Sequence, residues 1–128
     1  MSIKDTILVK LGGSVIGNQN SLTSTINQFR KLIFNKKTFK KVVIIPRGGS
    51  YANFIRFIDK ELHLGDDLAH WEAILAMNWN GIKIHNKYED TNLIFDFEVL
   101  QNTFKRNLER EEIIILQPFT YLREKDEL

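Results

Sequence analysis

Three unbroken apolar runs constrain the fold more than any other feature of the chain. Thr6-Ile7-Leu8-Val9 leads into Lys10, Val42-Val43-Ile44-Ile45 stops at Pro46, and Ile113-Ile114-Ile115-Leu116 follows a charged turn. Runs of β-branched residues and Leu without polar alternation suit strands buried on both faces, as in a parallel sheet between helices. Two of the runs meet a glycine pair: Gly12-Gly13-Ser14 after the first, Gly48-Gly49-Ser50 behind Arg47 after the second. Helical periodicity then follows each pair, so a strand–glycine–helix unit occurs twice. The fold class this predicts is α/β, a three-layer sandwich with a mainly parallel sheet.

The helices are read from apolar spacing. Leu22, Ile26, Phe29 and Ile33 mark one buried face after the polar stretch Asn18-Gln19-Asn20-Ser21, which offers helix caps. Tyr51, Phe54, Ile55, Ile58 and Leu62 mark the next helix, which His63-Leu64-Gly65 breaks, with Asp66 or Asp67 as cap for a third. That third helix is long. Leu68, Trp71, Leu75, Asn78 or Trp79, and Ile82 form its expected stripe, with Gly81 near its end; Ile74 and Met77 widen the apolar arc. A helix so broadly apolar is central to the core or half of a subunit interface. Leu93-Ile94 is a short apolar segment. Asp96 caps a last helix with Phe97, Leu100, Phe104 and Leu108 on its buried side.

Composition excludes several classes. At 128 residues the chain is of single-domain length. A net charge of +2 is too small to imply nucleic acid, and the pairs Lys36-Lys37 and Lys40-Lys41 read as a solvated loop. With no cysteine there is no disulfide framework, thiolate metal site or thiol nucleophile. No apolar run approaches the ~20 residues of a membrane span, and the N-terminus lacks a signal-peptide core. The terminal Lys125-Asp126-Glu127-Leu128 matches an endoplasmic-reticulum retention signal; without a signal peptide it is read as chance, and the expected location is the cytoplasm.

The glycine pairs carry the chemistry. Where the α-carbon bears only hydrogens, backbone N–H groups can approach an anion, and Lys10 adds positive charge at the strand end. Two such corners on neighbouring parallel strands open on one edge of the sheet, where α/β folds place ligands. A dinucleotide fold is disfavoured, because Gly12-Gly13-Ser14-Val15-Ile16-Gly17 lacks the spacing of that fingerprint.

Val9-Lys10-Leu11-Gly12-Gly13-Ser14 resembles the first motif of the amino acid kinase superfamily, the aspartate, glutamate and uridylate kinases. Ile44-Ile45-Pro46-Arg47-Gly48-Gly49 with Ala52 and Arg56 resembles its second glycine loop. The most particular stretch is Asp67-Leu68-Ala69-His70-Trp71-Glu72-Ala73-Ile74-Leu75-Ala76-Met77. It looks like the branch that includes [5-(aminomethyl)furan-3-yl]methyl phosphate kinase, as do Leu116-Gln117-Pro118-Phe119 and Leu122-Arg123. The resemblance covers essentially the whole chain, with two departures. Arg47 stands where the family commonly has a glycine; a long cation there either crowds the acceptor or binds an acceptor phosphate. Family chains also continue for roughly another hundred residues, which supply the nucleotide-binding half. Residues 1–128 are therefore expected to be a single acceptor-binding N-terminal lobe lacking that half.

The resemblance implies ATP-dependent phosphoryl transfer to a phosphate monoester or carboxylate. In such chemistry a protein mainly positions two anions and neutralises charge. Lys10 would stabilise the transferred group, Gly12, Gly13 and Ser14 would hold nucleotide phosphates, and Gly48, Gly49 and Arg56 would cradle the acceptor. Mg²⁺ would come with ATP and require no protein ligand. Bland readings stand beside these. Arg56 pairs instead with Asp59 or Asp66, His70 is a packed core residue, Ser14 caps the turn, and Asp66 with Asp67 cap a helix rather than bind metal. The competing function is a non-catalytic lobe that binds a ligand or a partner subunit. Self-association, or a partner supplying the nucleotide half, is expected from the apolar third helix.

Overall fold

A computed structural model describes residues 5–63, 65–106 and 109–117. It contains four strands, β1 (Thr6–Leu11), β2 (Lys41–Pro46), β3 (Thr91–Ile94) and β4 (Glu112–Leu116), and five helices, α1 (Gly13–Ile16), α2 (Gln19–Arg30), α3 (Gly49–Leu62), α4 (Asp66–Lys87) and α5 (Phe97–Arg106). The strands form one sheet in the order β1-β2-β4-β3, every pairing parallel. Lys10 pairs with Ile45 and Leu11 with Pro46, so β1 and β2 end level with each other. The α/β class and parallel sheet are as predicted. Leu108, Pro118-Phe119, Leu122-Arg123, the terminal tetrapeptide and the side chain of Tyr51 lie outside the described residues.

Helices cover both faces of the sheet at β2 and β4, where strands without polar alternation present apolar side chains to each; β1, expected to be buried on both faces, is instead an edge strand with Leu8 exposed on one of them. On one face Val42, Ile44, Ile113 and Ile115 pack with Leu22, Ile26 and Phe29 of α2, Ile33 beyond it, and Ile84 and Tyr88 at the end of α4. On the other, Val43, Ile114 and Ile94 meet Leu100 of α5, with Phe104 and Leu116 against them. The predicted stripe of α2 is buried in full. Beyond Arg30 the helix widens into a π turn over Lys31–Asn35, where Lys36 N–H donates to the Lys31 carbonyl at 2.8 Å. Asn18 Oδ1 caps α2 by accepting from Ser21 N–H at 3.1 Å, and Asp96 Oδ1 accepts from Glu98 N–H at 2.7 Å at the start of α5. Arg30 makes two bonds to Asp90, Nε to Oδ2 at 2.8 Å and Nη2 to Oδ1 at 2.7 Å, fastening α2 to the turn before β3.

Four expectations are corrected. Lys41 is not part of a solvated loop: it opens β2, is wholly buried, and donates to Glu112 Oε1 at 3.0 Å and to the Arg110 carbonyl at 2.9 Å. The two residues face each other across the β2–β4 register, and the Lys41 ammonium lies 5.8 Å from the centre of the Phe104 ring. Neither Asp66 nor Asp67 is the N-cap of α4. That position belongs to Gly65, whose φ of 101° is open to glycine alone at no steric cost. The stripe of α4 is also displaced by one position. Ile74, Gly81, Ile84 and the capping Tyr88 are buried, whereas Leu68, Leu75 and Trp79 are exposed. Phe54 and Leu62 of α3 are exposed as well.

Gly81 lies in the last third of α4, inside the helix and packed against the sheet. A Cβ built there would meet Gln117 Nε2 at 3.2 Å, Ile115 Cγ2 at 3.3 Å and Pro46 Cγ at 3.3 Å. The missing side chain lets α4 cross the carboxyl ends of β2 and β4. The amino-terminal part of the helix thereby reaches the edge where both glycine corners lie.

Candidate anion site at the carboxyl edge of the sheet

The parallel pairing of β1 and β2 brings the two glycine corners side by side. The Arg47 N–H donates to the Leu11 carbonyl at 3.0 Å, tying the start of the second corner to the end of the first. A cavity of about 270 Å³ opens beside them. Lys10 of β1, Arg47 and Gly48 of the second corner and Arg56 of α3 line it on one side. His70, Ala73, Ile74 and Met77 of α4 line the other, with Ile45 between. Among the described residues, its lining holds three full positive charges and no carboxylate. Such a concentration of one sign raises the local density of anions.

Lys10 is exposed although it lies in a strand, because side chains alternate across the pleat and its face of β1 is uncovered. Leu8, two residues earlier on the same face, is 64% exposed. The opposite set, Ile7, Val9 and Leu11, packs into the core. Arg56 Nη1 donates to Asn53 Oδ1 at 3.0 Å, one turn back on α3. Asp59, offered above as its partner, instead accepts from Gly65 N–H at 3.0 Å. His70 is exposed at the cavity, with its ring edge-on to Trp71 at 5.2 Å, and is not a core residue.

Gly12, Gly13 and Ser14 are at the end of β1 but outside the cavity lining. Gly12 is extended, with φ of −74°, and its carbonyl accepts from Val15 N–H at 3.2 Å and Ile16 N–H at 3.1 Å. Gly13 and Ser14 occupy the first turn of α1, where N–H groups have no intrahelical acceptor. A Cβ added at Gly12 would meet no heavy atom within 4 Å. Neither backbone strain nor crowding demands glycine there, so the free space beside that α-carbon is open to a ligand. Gly48 and Gly49 lead into α3, Gly48 as its N-cap.

Arg47 and His70, both inside the motifs quoted above, line the cavity, Arg47 at the departure where an acceptor-phosphate role was one of the two readings and His70 against its packed-core reading. One contributor was missed in the sequence: Asn80 of α4, 5% exposed, whose Nδ2 donates to the carbonyls of Arg47 at 2.9 Å and Gly48 at 3.0 Å. A polar residue in a helix reads as solvent-facing, so no sequence signal singled it out.

A parallel α/β sheet with a cationic cavity beyond its strand ends has the means to hold a phosphate-like anion. The sequence is similar to that of a protein acting on phosphates. It is 34% identical over 119 residues, 93% of this chain and 50% of the relative, to [5-(aminomethyl)furan-3-yl]methyl phosphate kinase of Methanocaldococcus jannaschii. The chain thus spans about half the length of that relative. No family model matches the sequence. Among the described residues, no helix is long and apolar enough to cross a membrane.

Proposed function

We propose that residues 1–128 form the acceptor-binding lobe of an ATP-dependent small-molecule kinase of the amino acid kinase type, acting in the cytoplasm. The observation that carries this reading is that Lys10, Arg47, Gly48, Arg56 and His70 line one cavity at the carboxyl ends of the strands. The similarity to a phosphate kinase supports it. Lys10 neutralises charge as it spreads over the transferred phosphoryl group. The amides of Gly12 and Gly13, with Ser14, hold phosphates of the nucleotide, and those of Gly48 and Gly49, with Arg56, hold the acceptor. The acceptor class is a phosphate monoester, with a carboxylate as the lesser case, because three cations around one cavity match a dianion better than a monoanion. The cationic lining fits phosphate oxygens and not a bare metal ion, so Mg²⁺ enters on ATP, where it supplies charge neutralisation to the phosphates.

Titration calorimetry with Mg-ATP and with methyl phosphate tests this reading. Binding of a phosphorylated ligand, lost in Lys10→Ala, is the expected result; no heat from any phosphorylated ligand would sink it. In the assembled enzyme, losing a preorganised donor such as Lys10 costs about 3 kcal/mol of barrier, roughly a hundredfold in rate.

A second reading is favoured by one observation, that Arg47, a long cation where the resemblance implies a glycine, lines the cavity. Here the lobe binds a ligand or a partner subunit and turns nothing over. Sustained ATP hydrolysis by the chain alone, abolished by Lys10→Ala, would exclude it. Under either reading the outward stripe of α3 and α4 is covered by a second copy or by the partner that brings the nucleotide half.

A further inference from the structure

The buried amide of Asn80 touches none of the cavity, yet it is bonded to the loop that forms one wall of it. We infer that Asn80 is a positioning residue that aims the amides of Gly48 and Gly49 at the bound anion, an inference that rests on the anion site proposed above. Its Nδ2 donates to two successive carbonyls, those of Arg47 and Gly48. In a trans peptide the C=O and N–H vectors are opposed, and no cis bond occurs among the described residues. Turning both carbonyls toward α4 therefore turns the N–H groups of Gly48 and Gly49 away from it.

The other side of the loop is fixed as well. Arg47 N–H is held by the Leu11 carbonyl at 3.0 Å. Arg47 N–H and the carbonyls of Arg47 and Gly48 are thus committed to protein partners, which leaves the N–H groups of Gly48 and Gly49, at the start of α3, to face outward. Asn80 itself cannot shift easily. Gly81, its neighbour, is wedged against Pro46, Ile115 and Gln117, and Gln117 Nε2 donates to the Asn78 carbonyl at 2.8 Å. Helix, strand ends and loop are locked as one body. A glycine pair has too much conformational freedom to hold such a geometry unaided; Asn80 supplies the constraint.

The experiment compares inorganic phosphate and methyl phosphate binding, by calorimetry, in the 128-residue chain and three variants. Asn80→Leu keeps the size and removes the donor; Asn80→Ser keeps a short donor in case the leucine variant fails to fold. Ile84→Val, one turn further along α4 in the core, lowers stability without touching the loop. The expected result is phosphate affinity weakened at least tenfold in Asn80→Leu and severalfold in Asn80→Ser, with Ile84→Val unchanged. Amide exchange at Gly48 and Gly49, read by NMR, should quicken in the two Asn80 variants alone. Phosphate affinity within twofold of the parent in the Asn80 variants overturns the positioning role and leaves the site standing. Failure of the unaltered chain to bind either phosphate overturns the site, and the positioning role with it.

Discussion

Lys41 and Glu112 show how one residue pair can dominate local energetics while contributing little to net stability. Both are buried, at 0% and 5% exposure, and each is the other's charge partner at 3.0 Å. Removing two such charges from water costs most of what their attraction returns, so replacing both by apolar residues is near neutral or stabilising. Removing one is different. Lys41→Met should lose about 3 kcal/mol by leaving buried Glu112 with only the exposed Arg110 as a charge partner, 3.5 Å from its other oxygen, whereas Lys41→Met with Glu112→Leu should recover most of it. Urea unfolding of the three proteins measures both effects. The exposed pair Arg30–Asp90 behaves in the opposite way. Its hydrogen bonds to Arg30 hold the Asp90 carboxyl below its ordinary 3.8, but the side chains are 34% and 42% exposed and solvent screens them. Asp90→Asn should therefore cost less than about 1 kcal/mol at neutral pH. Because the folded value is depressed, this contribution is complete above pH 3.8 and fades as pH falls through the lowered value. The gap between parent and variant in urea midpoint should be constant from neutrality to about pH 5 and close in stronger acid.

Among the elements, α4 is the one the sequence disguised. Among its buried positions, Ile74, Gly81, Ile84 and the capping Tyr88 keep helical spacing, with Met77 half-buried among them and Ala76 and Asn80 buried beside them. The parallel stripe of Leu68, Trp71, Leu75 and Trp79 carries larger side chains and so looked like the inner one. Gly81 concealed the true face, since a close approach selects the smallest residue, and Asn80 concealed it again by being polar. The inner strands β2 and β4 were legible for the converse reason: β-branched runs covered on both faces leave no competing pattern, whereas the exposed face of β1 at Leu8 and Lys10 was not foreseen. The glycine corners and Lys10 were legible as motifs, but Arg47, His70 and Asn80 gain their significance only from α4 crossing the sheet edge. Gly81→Ala tests that crossing. Helix propensity favours alanine by about 1 kcal/mol, while overpacking in a tight site costs about 1–3 kcal/mol. Three neighbours at 3.2–3.3 Å, one a proline ring and one a β-branched isoleucine, leave little room to yield. We expect a net loss near 1 kcal/mol in thermal or urea unfolding, with Gly81→Val losing more.

For the molecule as a whole, what is left uncovered matters as much as the core. Phe54, Phe57, Leu62, Leu68 and Trp79 are 56%, 57%, 67%, 49% and 56% exposed on two helices that pack together. Such a face favours association. Light scattering over a concentration series should show the isolated chain growing beyond a monomer, and Phe57→Glu with Leu62→Lys should reverse it. A parent chain that stays monomeric at millimolar concentration would contradict the proposed covering.

The buried ion pair has one more consequence, for how the sheet finds its alignment. Val42-Val43-Ile44-Ile45 and Ile113-Ile114-Ile115-Leu116 are nearly uniform. Sliding one strand past the other by two residues would return every side chain to its own face with little change in burial. Hydrophobic matching is thus almost blind to that slip. The Lys41–Glu112 contact is not, since the same shift would strand two opposite charges in hydrocarbon. The pair works as an address label on otherwise interchangeable strands. By fixing the alignment of β2, it also fixes how far Arg47 and the second glycine corner project beyond the sheet.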